Sequence, residues 1–261
     1  MNGALPSRAA DLLVVGAHPD DLELRFGGIA AKAAQDGLVV VGLDLTRGER
    51  ATRGTPEGRA REALASAEVL GLAARVNAGL PDTAVHHLDP AHTAAVVELL
   101  RKIRPRWVLA PHPEDAHPDH REGGRLLERA LFFAHVGGYA APGERHTAHG
   151  LLFDWPEAGS RAAAYAQGGV GSGIVIDVSA HFDAKRRALS CYTSQFTETE
   201  GGATRLNRPT FLAAVEAHAR RLGEIIGADY GEGLVHPGAF AWRGPLGGLF
   251  GEQGFSAGGT A

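Results

Sequence analysis

The sequence predicts an α/β fold with a doubly wound, mostly parallel sheet flanked by helices, and two observations predict it. Short segments rich in Val and Leu alternate with longer segments whose apolar residues recur at helical spacing. Glycine or a polar loop separates most of these segments. Strands that alternate with helices of ten or more residues form βαβ units and hence a Rossmann-like parallel sheet.

The first 135 residues supply four predicted strand–helix units. The strands are expected at Leu12–Ala17, Leu38–Leu45, 75–79 and Trp107–Ala110, and the helices at 24–36, 57–70, Pro90–Ile103 and 121–134. The strand segments are short and apolar, which is typical of strands buried on both faces of a sheet. Gly37 and Gly71 follow two of the helices, where glycine favours a helix end.

The remaining sequence predicts two further strands, at Leu151–Asp154 and Ile174–Val178, and helices at about 180–192 and 209–226. We expect one domain over 1–242, with the Rossmann-like core at about 11–190 and a small helical C-terminal addition at about 191–242. Residues 243–261 are predicted to be a glycine-rich tail.

Composition restricts the class of protein. The chain has 261 residues, of which 44% are hydrophobic and 21% charged, as in globular domains. It has no apolar run of the ~20 residues that a membrane span needs, and its first residues do not resemble a secretory signal. A net charge of -4 argues against nucleic-acid binding, and the single cysteine, Cys191, suits the cytosol. We therefore expect a cytoplasmic protein with a small-molecule partner and neither a nucleic acid nor a membrane as partner.

Two loops concentrate His, Asp and Glu directly after predicted strands. The segment AHPDDLE follows the first strand, and PHPEDAHPDH follows the fourth. The carboxyl ends of these strands can meet at the switch point of a doubly wound sheet, where such sheets bind ligands. A single cluster of this kind is more often a turn or a helix cap, but two of them at two strand ends predict a metal site.

The residue types match zinc, which takes His nitrogens and carboxylate oxygens and keeps one open position when it is catalytic. His18, Asp21 and one histidine of the second loop would bind it, which leaves Asp20 to act on water. Spacing does not distinguish His117 from His120, because they lie three residues apart at a helix start. One would bind the metal and the other would donate a proton. Fe²⁺ and Mn²⁺ suit the same ligands.

The motif AHPDDLEL…GG with the later HPDH resembles the LmbE-like (PIG-L) superfamily of zinc-dependent N-acetylglucosamine deacetylases. The similarity continues through DLTRGERATRGTPEGR, LPD, YTSQF and YGEG, and spans about residues 11–235. Within the superfamily it is most similar to bacillithiol-pathway enzymes that act on N-acetyl-α-D-glucosaminyl L-malate. The resemblance therefore implies a deacetylase of an amino-sugar conjugate that forms a homo-oligomer, commonly a hexamer.

The resemblance also assigns roles to individual residues. It implies the zinc ligands His18, Asp21 and His120, the general base Asp20, and His117 as general acid or oxyanion partner, oriented by Asp119. It further places Arg59 at the active site, where a guanidinium would pair with a malate carboxylate. Arg47 and Glu49 in the loop after the second strand, and Gln195 in YTSQF, are further candidate substrate contacts, each with a loop or turn role as the alternative.

Two positions depart from the family pattern. Ala116 stands where relatives often carry Arg, which weakens the malate assignment and keeps inositol glycosides, chitooligosaccharides and antibiotic amino sugars open as substrates. Phe211 stands where Tyr is common, so the metal and His117 would stabilise the oxyanion.

Two rival functions remain. A phosphoesterase usually needs a second metal, and a non-enzymatic sugar- or metal-binding protein would have no need of a base beside the metal.

Overall fold

The computed structural model describes residues 5–155, 173–197 and 202–236, and the tail predicted at 243–261 lies outside these ranges. The strands are β1 (Leu12–Gly16), β2 (Val40–Thr46), β3 (Ala74–Leu80), β4 (Trp107–Ala110), β5 (Gly150–Asp154), β6 (Gly173–Asp177) and β7 (Gly231–Val235). The helices are α1 (Asp21–Gln35), α2 (Pro56–Leu70), α3 (Pro90–Ile103), α4 (Pro118–His135), α5 (Phe182–Ser190), α6 (Thr193–Phe196) and α7 (Pro209–Ile225).

The strands form one sheet in the order β3-β2-β1-β4-β5-β7-β6. The first five are parallel, and β7 runs antiparallel to both β5 and β6. The order reverses between β1 and β4, so the loops after these two strands leave the sheet side by side. The predicted Rossmann-like, mostly parallel α/β fold is confirmed.

The sheet is buried on both faces, and β1 shows how. Leu13 and Val15 belong to the apolar cluster that contains residues of α3 and α4, whereas Leu12 and Val14 belong to the cluster that contains residues of α1 and α5. Neighbouring strand residues point to opposite faces, so a continuous apolar run is what a strand between two helical layers requires. In the described ranges, no helix combines the length and the apolar character needed to span a bilayer.

Strand β7 was not among the predicted strands, because two of its five residues are glycines, which weaken a strand. The structure shows why glycine is required there. A Cβ atom at Gly231 would lie 2.7 Å from a side-chain carbon of Val175, and one at Gly233 would lie 2.5 Å from Cβ of Trp155. The strand therefore depends on close neighbours that are distant in sequence, and local patterning does not reveal them.

Strand β7 also contributes a buried carboxylate, Glu232, which joins three elements. It accepts hydrogen bonds from the backbone N–H groups of Gly28 and Ile29 in α1, at 2.9 and 2.7 Å, and from Nζ of Lys185 in α5, at 2.6 Å. Both members of the Lys185–Glu232 pair are about 3% exposed. A charge this deeply buried depends on its counter-charge.

We expect Glu232→Ala to lower the free energy of unfolding by about 3–5 kcal/mol, because Lys185 would stay buried without a counter-charge. Urea denaturation measures the change. The control is Glu98→Ala, which removes an exposed i,i+4 pair with Lys102 and should cost less than about 1 kcal/mol. Equal losses in the two variants would show that the buried pair contributes no more than a surface pair.

Candidate metal centre and active site

The two His/Asp loops lie together at the reversal of strand order. After β1 the chain turns through His18 into α1, whose first residue is Asp21, and after β4 it turns into α4, whose first turn contains His120. Both loops line one cleft of about 680 Å³. Both helices begin three residues earlier than predicted. Asp21 and His120 therefore belong to the first turns of two helices, and His18 lies in the turn before α1.

Of the three predicted ligands, Asp21 lies within ligand spacing of both histidines. Oδ2 of Asp21 lies 3.3 Å from Nδ1 of His18 and 3.1 Å from Nε2 of His120. Ligand atoms bound tetrahedrally at ~2.0–2.1 Å from a zinc ion are roughly 3.3 Å apart. The side chains of His18, Asp21 and His120 thus fit a divalent cation by chemistry, and Asp21 is at ligand spacing from each histidine. His117 is close as well, because it offers a ligand atom within 4.8 Å of His18 and His120.

The surroundings of His18 favour a positive charge. Its Nε2 atom lies 3.2 Å from Oδ2 of Asp119 and 3.3 Å from Oδ1 of Asp82. Burial lowers the pKa of His18, but hydrogen bonds to Asp119, Asp21 and Asp82 outweigh burial and raise it to about 12. Three carboxylates around one imidazole give a strongly negative potential, which is the electrostatic condition for holding a cation.

The Asp119 carboxylate contacts His18, and its expected role in orienting His117 stays a prediction. Its Oδ2 atom also accepts the backbone N–H of Thr83 at 2.7 Å. The link to His117 is made by the backbone instead, since the N–H of Asp119 donates to Nδ1 of His117 at 3.3 Å. The reason is the helix start: His117 is the N-cap of α4 and Asp119 is its second residue. With Nδ1 accepting, the ring proton of a neutral His117 lies on Nε2.

Asp20 is a buried carboxyl at the N-cap of α1. Its φ of 119° is uncommon outside glycine, and its Oδ2 atom accepts a hydrogen bond from Nη2 of Arg59 at 3.0 Å. Burial raises the pKa of Asp20 to about 7, although the charge of Arg59 acts in the opposite direction. A carboxyl group that titrates near neutral pH is suited to general-base chemistry.

Arg59 lines the cleft but its guanidinium is engaged with the protein. The same Nη2 atom that donates to Asp20 also donates to the carbonyl of Pro19. Gly48 allows this placement, because a Cβ atom there would overlap Nη1 of Arg59. In this arrangement Nη2 of Arg59 holds the candidate base in position, and the pairing of Arg59 with a substrate carboxylate stays a prediction.

Of the other predicted substrate contacts, Gln195 lines the cleft, whereas Glu49 and Arg47 do not. Gln195 lines the cleft, and its Nε2 atom donates to the backbone carbonyl of Arg53 at 3.0 Å. Glu49 accepts a backbone N–H of the loop after β3 at 2.9 Å and does not line the cleft. Arg47 is exposed and lines a separate, smaller cavity. From the same loop, Arg50 and Arg53 reach the cleft instead.

Sequence reasoning missed a charged cluster beside His120. Arg25 on α1 forms ion pairs with Asp115, at 2.8 Å, and with Asp154 at the end of β5. Its Nη2 atom also lies 2.8 Å from Nδ1 of His120. The available signal was helical spacing, because Arg25 lies four residues after Asp21 and therefore on the same face of α1.

A second group of metal-type side chains, His86, His87 and Glu122, lies outside the cleft lining. One ring nitrogen of each histidine is already used within the protein. Nδ1 of His87 is 2.5 Å from Oε2 of Glu122, and Nδ1 of His86 accepts the backbone N–H of Leu88. This arrangement explains the cluster as hydrogen bonds that hold the loop after β3 against α4.

Comparisons with known proteins agree with this geometry. The family described as GlcNAc-PI de-N-acetylase (PIG-L) matches residues 13–131, a range that contains both His/Asp loops. The diacetylchitobiose deacetylase of Thermococcus kodakarensis is 28% identical over 248 residues, which cover 88% of this chain and 84% of that protein. The 1D-myo-inositol 2-acetamido-2-deoxy-alpha-D-glucopyranoside deacetylase of Rhodococcus opacus is also 28% identical, over 73% of this chain and 83% of that protein.

A solved structure extends the similarity to almost the whole chain. The conserved protein TT1542 from Thermus thermophilus is 34% identical and has a TM-score of 0.77, and the match covers 90% of this chain and 98% of that one. The match therefore extends well beyond residues 13–131. On these grounds the chain belongs to the PIG-L/LmbE-like deacetylase family.

Proposed function

We propose that this protein is a metal-dependent N-deacetylase that hydrolyses the acetamide group of an N-acetylglucosaminide. The observation that carries the proposal is the grouping of three ligand-type side chains, His18, Asp21 and His120, beside two proton-transfer groups in one cleft. Those two groups are the carboxyl of Asp20 and the imidazole of His117. A pure binding site would not need a buried carboxyl group, held in place by Arg59, beside the ligand set.

His18, Asp21 and His120 would hold the ion. Zinc is the first candidate, and Fe²⁺ or Mn²⁺ would suit the same ligands. When bound, such an ion supplies Lewis acidity that polarises a carbonyl oxygen. Asp82 and Asp119 lie beside Nε2 of His18. They would orient the ring of this ligand, because a metal-bound histidine is held by the partner of its other ring nitrogen.

The protein's own groups would move the protons. Asp20 would accept a proton from the water molecule whose oxygen attacks the acetamide carbon, and Arg59 keeps the Asp20 carboxylate in place. His117 would present Nε2–H to the oxygen that becomes negatively charged. The C–N bond then breaks, the nitrogen leaves as an amine that has taken up a proton, and acetate is the second product.

The size of the cleft favours a conjugate over a free monosaccharide, because about 680 Å³ is in the range of pockets that enclose drug-sized ligands. We propose a malate-type aglycone, as in N-acetylglucosaminyl malate. Arg50 is an exposed guanidinium in the cleft lining and would pair with the malate carboxylate, since Nη2 of Arg59 already donates to Asp20. The second candidate is a disaccharide or an inositol glycoside, which the names of the relatives suggest and which the apolar wall of Phe211 and Val215 would also accommodate.

The test measures primary amine released from N-acetylglucosaminyl malate, diacetylchitobiose, an N-acetylglucosaminyl inositol and N-acetylglucosamine. We expect release from at least one conjugate, loss of activity with a chelator, and recovery with added Zn²⁺. If the aglycone is malate, we expect Arg50→Ala to lower kcat/KM about tenfold for the malate compound and to leave the neutral glycosides unchanged. No release from any compound would contradict the deacetylase, and a clear preference for a neutral conjugate would contradict malate.

A further inference from the structure

The imidazole of His120 has two different neighbours on the side that faces away from Asp21. Nδ1 of His120 lies 2.8 Å from Nη2 of Arg25 and 3.3 Å from Oδ1 of Asp115. An arginine can only donate a hydrogen bond, and an ionised carboxylate can only accept one. The two neighbours therefore favour opposite proton positions on the same ring.

The position of that proton decides whether His120 can be a ligand. If Nδ1 accepts from Arg25, the proton of the neutral ring lies on Nε2, and Nε2 has no lone pair for a cation. If Nδ1 carries the proton, it donates to Asp115, and the lone pair of Nε2 lies beside Oδ2 of Asp21 at 3.1 Å. Only the second tautomer places a free nitrogen lone pair next to the other ligands.

The carboxylate of Asp115 is held at both oxygens. Oδ1 accepts the backbone N–H of His117 at 2.7 Å, and Oδ2 accepts from Nη2 of Arg25 at 2.8 Å. Arg25 is in turn paired with Asp154, whose other oxygen accepts the backbone N–H of His112 at 2.6 Å. Asp115 is therefore fixed relative to α1, β5 and the loop before α4, which is what orienting a ligand requires.

We propose that Asp115 is the positioning residue that selects the ligating tautomer of His120, with Arg25 and Asp154 holding its carboxylate in place. The proposal rests on the proposed function in one respect, namely that His120 is a metal ligand. Asp115 acts through His120, whereas Arg25 competes for the same nitrogen. The sequence motif HPDH thus extends functionally to the Asp two residues before it.

The experiment measures the zinc dissociation constant of the full chain by competition with a chromophoric chelator. We expect Asp115→Ala to weaken zinc binding about 10–100-fold, the usual effect of losing a partner of a metal-bound histidine. Asp115→Asn should retain most of the affinity, because its amide oxygen can still accept Nδ1–H. The matched control is Glu114→Gln, which alters the neighbouring acid that pairs with Arg125 and should leave the affinity within about twofold.

A second measurement separates tautomer selection from a general structural effect. The ¹⁵N NMR spectrum of the histidine-labelled, metal-free protein should show the proton of the neutral His120 ring on Nδ1 in the wild type and in Asp115→Asn, and on Nε2 in Asp115→Ala, where Arg25 alone of the two neighbours remains. Zinc affinity within twofold of the wild type in Asp115→Ala, or a proton on Nε2 in the wild type, would overturn the proposal. If the wild type binds no zinc, the proposed function fails instead, so the two failures are distinguishable.

Discussion

We expect Asp20→Asn to lower kcat of the metal-loaded enzyme by about 10³-fold, because general-base catalysis contributes ~10²–10⁴-fold. The substitution keeps the shape of the side chain and an oxygen that can accept from Arg59. It removes only the ability to take up a proton. Steady-state kinetics on the best substrate of the panel, with metal content measured on the same samples, tests the prediction.

The metal content of Asp20→Asn should equal that of the wild type, since Asp20 is not among the three ligands. Asp36→Asn, at the exposed C-terminal end of α1, is the control and should leave kcat unchanged.

A carboxyl acts as a base only when it is ionised, that is, above its pKa. Burial raises the pKa of Asp20, so the wild-type rate should fall as the pH decreases below neutral, and Asp20→Asn should lose this acid limb. A variant with kcat within threefold of the wild type would exclude Asp20 as the base.

The sequence was sufficient to locate the site because its main signals are local. Each His/Asp motif directly follows a buried strand, and strand order in a doubly wound sheet then determines which loops meet. Helix α3 was predicted at its observed bounds for the same reason. In the structure Asp89 is its N-cap and Pro90 its first residue. Local patterns of this kind do not depend on how distant elements pack.

The contacts that the sequence did not predict join distant elements. The Asp119 carboxylate contacts His18, which lies 101 positions away in the sequence. This contact depends on how α4 approaches the loop after β1. Arg25 has the sequence appearance of a solvated helix residue, but β5 and the second loop bring two carboxylates to it. Arg47 and Arg50 are equally charged members of one loop, and only the backbone path decides that Arg50 reaches the cleft.

We expect His120→Ala to lose its bound metal, because only His18 and Asp21 would remain of three ligands. Metal analysis after dialysis should give less than about one tenth of an equivalent per chain, against about one in the wild type. The deacetylase rate should fall by more than about 10³-fold, because Lewis-acid stabilisation supplies several kcal/mol.

The control for this variant is His135→Ala, which removes an exposed histidine at the last residue of the same helix and should keep both metal and activity. His117→Ala provides the sharper comparison, because His117 lies three residues before His120 and also offers a nitrogen near His18. We expect it to keep the metal and to lose activity. The opposite result, with metal lost in His117→Ala and retained in His120→Ala, would exchange the two roles. Asp115 would then have no ligand to position, so the same pair of variants also tests the premise of that inference.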